Sequence, residues 1–433
     1  MSATAAAAPP AARRRRSGFA ELARFAPDPL RYVDGFRGDP RPIVPFTLGR
    51  LDCRLVTEPE LIGALLDTEV RPPVSRGRIH ALQAWYNGGL LLAEGDEHDR
   101  QRDEVWAPAL AATKSLPIAI DRTERRLDTW RPGEPIDVFP ELGSLTGAID
   151  WQALTGEDLD ARPELLAAQR QGVSAMLWLL GPYGTKRWNL PLPPTLATKR
   201  AKRTLDGAID ELIAARRAAP TDDVLSVVVA HEPDDVLARA VVKQWLTADQ
   251  VHVWLTWALY ALATHPDVAA RWHAELDSAL DGRAPAPDDV AALPYTRAVL
   301  KETLRLWPPI WMFFRGFTGD FELGGETIHA GELVAVSQWL THRDPRFWPD
   351  PERFDPDRFA DGAEQPPPVS YFPFSTGPYG CNAYHLSTYT AVLVLAAIGR
   401  RFELRADASR PAQPQALNVV VPKGGLRLTP VER

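Results

Sequence analysis

Residues 372–381 read FPFSTGPYGC and lead straight into the apolar stretch 386–398. One cysteine therefore stands just ahead of a segment patterned as a long helix, behind a loop whose glycines and prolines let it wrap a flat object. At a helix start the amide dipoles lower a thiol's pKa, and turned backbone N–H groups can hydrogen-bond a sulfur. That arrangement suits an axial ligand of iron. Taken alone, the stretch reads rather as a buried structural cysteine beside a helix start, and the rest of the chain must decide.

At 433 residues and 45% hydrophobic composition, the chain can bury a large core. The net charge of −7 comes from acids and bases mixed throughout, so no face is built for nucleic acid, and small molecules are the expected partners. Only Cys53 and Cys381 occur, which argues against a disulfide framework, with a single Cys53–Cys381 bridge as the alternative, and suits a reducing cytoplasm. The opening MSATAAAAPPAARRRR puts a short apolar part before its basic cluster, the reverse of a secretory leader. A disordered Ala-rich, basic tail over residues 1–27 is expected. No uninterrupted apolar run approaches about 18 residues, so no membrane anchor is expected.

Along the chain, residues 42–46 and 51–56 alternate like strands of a small sheet. Residues 88–110 begin with a Gly turn and become helical, setting His98 and Arg102 four apart on one face. Those side chains either grip an anionic group or belong to a solvated charged face with Asp99, Arg100 and Asp103. From 122 to 218 the pattern is helical, broken at Pro132, Pro163 and 181–194. Residues 235–280 give the longest helical signal, apolar most of the way round and therefore buried, with Asp249 and Gln250 in its middle. A helix over 294–306 holds Glu302 and Arg305 before Trp307-Pro308-Pro309. Residues 321–328 and 332–337 then alternate like a hairpin forming a second small sheet. The stretch 344–359, DPRFWPDPERFDPDRF, is too proline-rich for a helix or a central strand.

In this order and spacing the pieces resemble cytochrome P450. Glu302-x-x-Arg305 resembles the family's Glu-x-x-Arg pair, and Pro356-Asp357-Arg358-Phe359 the motif that supplies its third member, Arg358 being preferred to Arg353 in the repeated PERFDPDRF. One carboxylate bridging two guanidinium groups pins helix to loop, because buried charges must be paired. Phe374-x-x-Gly377-x-Tyr379-x-Cys381 resembles the haem-thiolate signature, with Cys381 as the proximal metal ligand. By the same resemblance His98, Arg102 and Arg315 hold the haem propionates. The resemblance covers roughly residues 28–430 and implies a mainly α fold with small β-sheets, a single haem domain over 28–433, and haem b (iron protoporphyrin IX) as cofactor.

Three positions depart from the family pattern. Aligning WALYALATHP, residues 257–266, places the family's oxygen-activation motif on Leu246-Thr247-Ala248-Asp249-Gln250. The acid is kept as Asp249, but the alcohol that assists proton delivery is Gln250, whose amide is no hydroxyl relay. Thr247 substitutes only if the helix is locally rewound, and Leu246 stands where a small residue is expected. In the cysteine loop Tyr379 replaces a basic propionate partner and brings a phenol without charge. Ala383 replaces a common Gly.

These features leave three functional readings. One is a haem-thiolate monooxygenase acting on a hydrophobic or aromatic small molecule. The second is a P450 whose net reaction is not hydroxylation but ring formation, coupling, desaturation or rearrangement. The third is a haem-free P450-like helper protein, a type that lacks the cysteine retained here. The family's pocket regions correspond to Ile79, Trp85, Tyr86, Met176, Trp178, Leu246, Val253, Ile310, Trp311 and Phe313, an apolar and aromatic set. Any one of these also reads as core packing, and His252 as a core histidine. The chain carries neither a Cys cluster nor a Gly-x-Gly-x-x-Gly fingerprint, so its electrons are expected from a separate ferredoxin and ferredoxin reductase, with Arg100, Arg400 and Arg401 as docking candidates. The resemblance is to soluble bacterial members of secondary metabolism, implying a cytoplasmic monomer.

Overall fold

A computed structural model describes residues 18–67, 74–75, 82–180, 188–248, 250–317, 319–364 and 366–433, without the side chains of 74–75 and 173–180. The tail expected over 1–27 is helical from Gly18: the helix Gly18–Phe25 is fastened by Glu21, whose carboxylate accepts the Tyr32 hydroxyl at 2.8 Å. The chain divides into two compact units, each discontinuous in sequence.

The first unit comprises Met1–Gly77, Trp311–Glu352 and Pro366–Tyr379. Its centre is a five-stranded sheet in the order Ile43–Leu48, Leu51–Val56, Leu333–Val336, Phe313–Phe317, Val74–Ser75. Leu51–Val56 and Leu333–Val336 run parallel, and the other neighbours are antiparallel. The expected hairpin of 321–328 with 332–337 therefore does not form. Gly324 (φ +60°) and Gly325 (φ +80°) close a ribbon of Phe321–Leu323 on Glu326–Ile328, while Leu333–Val336 joins the N-terminal sheet. The reason lies in its composition: LVAV is an apolar run without alternation, which is the pattern of a strand covered on both faces. Val334, Ala335 and Val336 are all fully buried.

The second unit, Arg78–Ile310, Arg353–Gln365 and Gly380–Arg433, is mainly helical. A core of Trp85, Tyr86, Trp106, Trp151, Leu205 and Leu246 joins its helices. The expected continuous helix over 235–280 is three: Asp235–Ala248, Val251–Thr264 and Pro266–Leu280. Pro266 starts the third because a first-turn proline lacks only an N–H that would be unsatisfied anyway. Between the first two, Gln250 leaves helical geometry at φ −117°, ψ 10°. Residues 95–112 are likewise helical in three parts: Gly95–Arg100, a π-helical turn Gln101–Trp106, and Ala107–Ala112. The helix Tyr384–Arg401 is buried on all sides from Thr390 to Gly399, as its apolar sequence requires. Two small sheets complete the unit, Ile136–Asp137, Arg427–Glu432 and Phe402–Ala406 in one, Pro414–Ala416 with Val420–Pro422 in the other. Among the described residues no helix is long and apolar enough to cross a membrane.

Candidate active site

The cysteine loop starts in the first unit. The Phe372 N–H donates to Nε2 of buried His342 at 3.0 Å, which fixes the proton of that imidazole on Nδ1. The Ser375 amide turns back onto the Phe372 carbonyl at 2.9 Å. At Gly377 (φ +70°) a Cβ would lie 1.9 Å from the Leu66 carbonyl oxygen, so only glycine allows this approach. Phe374 is half-buried. The Arg315 guanidinium lies 5.8 Å from the Tyr379 ring centre and 4.7 Å from that of Phe313, so the phenol that stands for a basic residue lies beneath a cation of its own unit.

The loop ends in the second unit. Arg102 donates to the Gly380 carbonyl at 2.8 Å, one residue before Cys381, which is exposed. Ala383 precedes the Tyr384 helix without a side-chain cap, so the cysteine stands just ahead of the helix's first amides. His98 is 2% exposed, its Nδ1 3.2 Å from Asp99 Oδ1. Cys53 is buried, with its sulfur 3.7 Å from the Leu51 carbonyl, and neither cysteine is in a disulfide.

Glu302 is fully buried in this unit. Arg305 grips it at two points, 2.7 and 2.8 Å, both side chains fully buried. The Asp355 amide donates to the same carboxylate at 2.8 Å, and the Arg358 Nε lies 3.5 Å away. Arg353 contributes only its carbonyl, to Arg305 at 3.0 Å, and its own side chain is 70% exposed. Burial pushes the Glu302 carboxyl above its ordinary pKa, while Arg305, the Asp355 amide and Arg358 pull it back.

Asp249 lies outside the described residues. Gln250, the interruption residue, donates its amide to the Ala248 carbonyl at 3.1 Å, an acceptor set free where the helix stops. Thr247 donates to the Lys243 carbonyl at 2.7 Å and lies 2.9 Å from the Tyr86 hydroxyl. A carbonyl can only accept, so the Thr247 proton is committed there and Tyr86 donates to Thr247. Burial pushes the Tyr86 phenol pKa well above its ordinary value, against that bond. His252 is buried beside Phe139, ring centres 5.3 Å apart, and burial pushes its imidazole down to about 4.

Of the apolar set, Trp85, Tyr86, Leu246 and Val253 are almost wholly buried in the second unit, and Ile310 is half-buried. Trp311 is buried and Phe313 half-buried in the first. Ile79 and the side chains of Met176 and Trp178 lie outside the described residues. Lys243 and Gln244 escaped the sequence reading. Both are buried in the Asp235–Ala248 helix, and the signal was there: a charge and an amide side by side in an otherwise apolar VVKQWL.

A family model of cytochrome P450 matches residues 249–430. Over 386 residues the chain is 30% identical to cyclooctat-9-en-7-ol 5-monooxygenase of Streptomyces melanosporofaciens, across 84% of this chain and 82% of that protein. The chain belongs to the cytochrome P450 family. This P450 is also 28% identical over 362 residues to pentalenene oxygenase of Streptomyces avermitilis, covering 78% of the chain and 79% of that protein. Its fold matches the crystal structure of the cytochrome P450DA haem domain with a TM-score of 0.86 at 21% identity, over 97% of this chain and 96% of that one. It is thus a P450 monooxygenase-type oxidoreductase, a family whose cofactor is haem iron. The donor set of the second unit fits that group: an exposed thiol ahead of a helix's first amides, with a guanidinium held to the adjoining carbonyl. Three cations are engaged internally. Arg100 bonds Glu97 and Glu232, Arg400 bonds Glu124, and Arg401 bonds Asp128.

Proposed function

We propose that this P450 binds haem b through the Cys381 thiolate and oxidises a small hydrophobic molecule of bacterial secondary metabolism, with electrons from a ferredoxin and its reductase. The observation that carries this is the exposed Cys381 thiol following a carbonyl held by Arg102. Bound haem supplies the iron that activates dioxygen. The protein's own residues do the rest. Cys381 donates charge to the metal, Arg102 and buried His98 offer N–H groups to the haem carboxylates, and the Glu302–Arg305–Arg358 cluster holds helix to loop. For the substrate, an apolar hydrocarbon-like molecule is supported by the relatives, whose names denote an alkenol and an alkene. Buried Trp85, Leu246 and Val253 agree with such a molecule.

The test is optical. Reduced protein under carbon monoxide is expected to show the red-shifted Soret band of a thiolate complex, and Cys381→Ser to lose it. A Cys381→Ser variant that keeps the band overturns the ligand assignment. Wild-type protein that takes up no haem supports the helper reading instead.

A non-hydroxylating outcome is the second reading, and one observation favours it. The Gln250 amide and the Thr247 hydroxyl both donate to backbone carbonyls. Neither side chain then offers a hydroxyl proton of the kind the usual alcohol supplies.

A further inference from the structure

The Asp235–Ala248 helix carries a cation that the proposed chemistry does not use. Lys243 is fully buried, a rare setting for a strongly hydrated ammonium. Its Nζ donates to the Trp85 carbonyl and to Asp206 Oδ1 at 2.8 Å, and stands 4.6 Å from the centre of the Trp85 ring. Asp206 belongs to the Pro193–Ala218 helix. It also bonds Lys202 and lies 4.0 Å from Arg239, so one carboxylate faces three cations. Burial, opposed by Asp206 and aided by Lys202 and Arg239, pushes the Lys243 ammonium down to about 7.

Two neighbours on the same helix face reach the same piece of chain. Gln244 donates to the Gly88 carbonyl at 2.9 Å and accepts the Leu91 amide at 3.3 Å. Thr247 accepts the Tyr86 hydroxyl. Residues 85–91 therefore form a strap fastened at four points by positions 243, 244 and 247. The strap is shaped for that contact. At Gly89 (φ +87°) a Cβ would lie 2.5 Å from Gln244 Nε2, and at Gly88 (φ +139°) 2.7 Å from Leu237 Cδ2. The Pro163–Leu180 helix closes on the same spot: a Cβ at Gly172 would lie 2.6 Å from the Trp85 ring and 3.1 Å from the Thr247 methyl.

We propose that Lys243 is a positioning residue for substrate selection, fastening the strap 85–91 to the helix that leads into the Gln250 interruption. This rests on the haem-thiolate reading, in which Trp85 and Tyr86 border the substrate. An apolar side chain of equal length fills the same space with no cost of burying charge. It leaves the Trp85 carbonyl without its donor and Asp206 still held by Lys202, and loss of the bond to Trp85 is what loosens the strap.

The experiment compares holoenzyme with Lys243→Met and Lys243→Arg by two measurements. Amide exchange of peptides covering 82–93 is expected to rise about tenfold in Lys243→Met, with distant peptides unchanged. Optical titration of the ferric protein uses imidazole, which asks only for access to iron, and 4-phenylimidazole, which also fills the space around it. Their affinity ratio is expected to shift about fivefold or more in Lys243→Met and to return towards wild type in Lys243→Arg. General destabilisation weakens both ligands alike and leaves the ratio unmoved. Unchanged exchange together with an unchanged ratio overturns the proposal. If Lys243→Met does not fold, Lys243→Leu, which likewise removes the donor to the Trp85 carbonyl, is read the same way, and its unchanged strap exchange overturns the proposal equally. Loss of the thiolate band in wild type defeats the function reading alone, since strap exchange then still tests the fastening.

Discussion

In PERFDPDRF two arginines stand five positions apart, and their fates differ. Arg358 reaches buried Glu302, while Arg353 offers only a carbonyl and points its side chain to solvent. Breaking a buried charge cluster leaves a carboxylate short of compensation, whereas trimming an exposed chain removes little. Arg358→Ala is therefore expected to cost about 2 kcal/mol of stability, and Arg353→Ala less than about 0.5 kcal/mol, in chemical denaturation. The reverse order refutes the choice between them. Glu302 and Arg305 were readable from local spacing because they share a helix face, whereas Arg358 comes from a distant segment and was reached only through the resemblance of Pro356-Asp357-Arg358-Phe359 to the family's motif. Lys243 was not readable in that way. Its partners, Trp85 and Asp206, come from distant segments, and only the three-dimensional approach shows why an ammonium is tolerated there.

Among elements, the interruption at Gln250 separates what sequence can and cannot show. Pro266 announces its helix start, whereas LTADQVHV contains neither Gly nor Pro and reads as uninterrupted helix. The same limit applied to Leu333–Val336, read as half of a hairpin with 321–328 but paired in the fold with Leu51–Val56 and Phe313–Phe317. Gln250 now has a definite local task, satisfying the Ala248 carbonyl. Gln250→Thr is expected to restore a hydroxyl and raise product formed per electron consumed by about twofold or more, measured as NADH oxidised against product with a reconstituted redox chain. An unchanged ratio shows that the interruption plays no part in proton delivery.

For the molecule as a whole, a buried histidine that folds neutral adds to acid sensitivity. His252 has its pKa lowered to about 4 by burial, against about 6.5 when unfolded. Between those values the unfolded chain binds a proton that the folded chain refuses. The stabilisation is therefore complete above about pH 6.5 and is lost as pH falls towards 4, by about 3 kcal/mol. His252→Phe, placed beside the Phe139 ring, is expected to flatten that part of the stability–pH curve, and an unaltered slope refutes the assignment. Charge at this scale also revises the search for a redox partner's footprint. The docking candidates Arg100, Arg400 and Arg401, expected on the family's cysteine side, are each engaged by acids of their own unit. Composition reveals the sign of a side chain but not whether the fold has already used it.

The π-helical turn Gln101–Trp106 adds one further consequence. An α-helix advances about 100° per residue, and a turn closed one residue late inserts a phase step of that order. Arg102, at the start of the step, points to the Gly380 carbonyl, while Trp106, at its end, stacks on Trp245 with ring centres 5.6 Å apart. The residue added by this turn falls between the two contacts and sets the phase of one against the other. The extra residue acts as a gearing between the chemistry of the cysteine loop and the packing of the core, letting each be tuned without rotating the other.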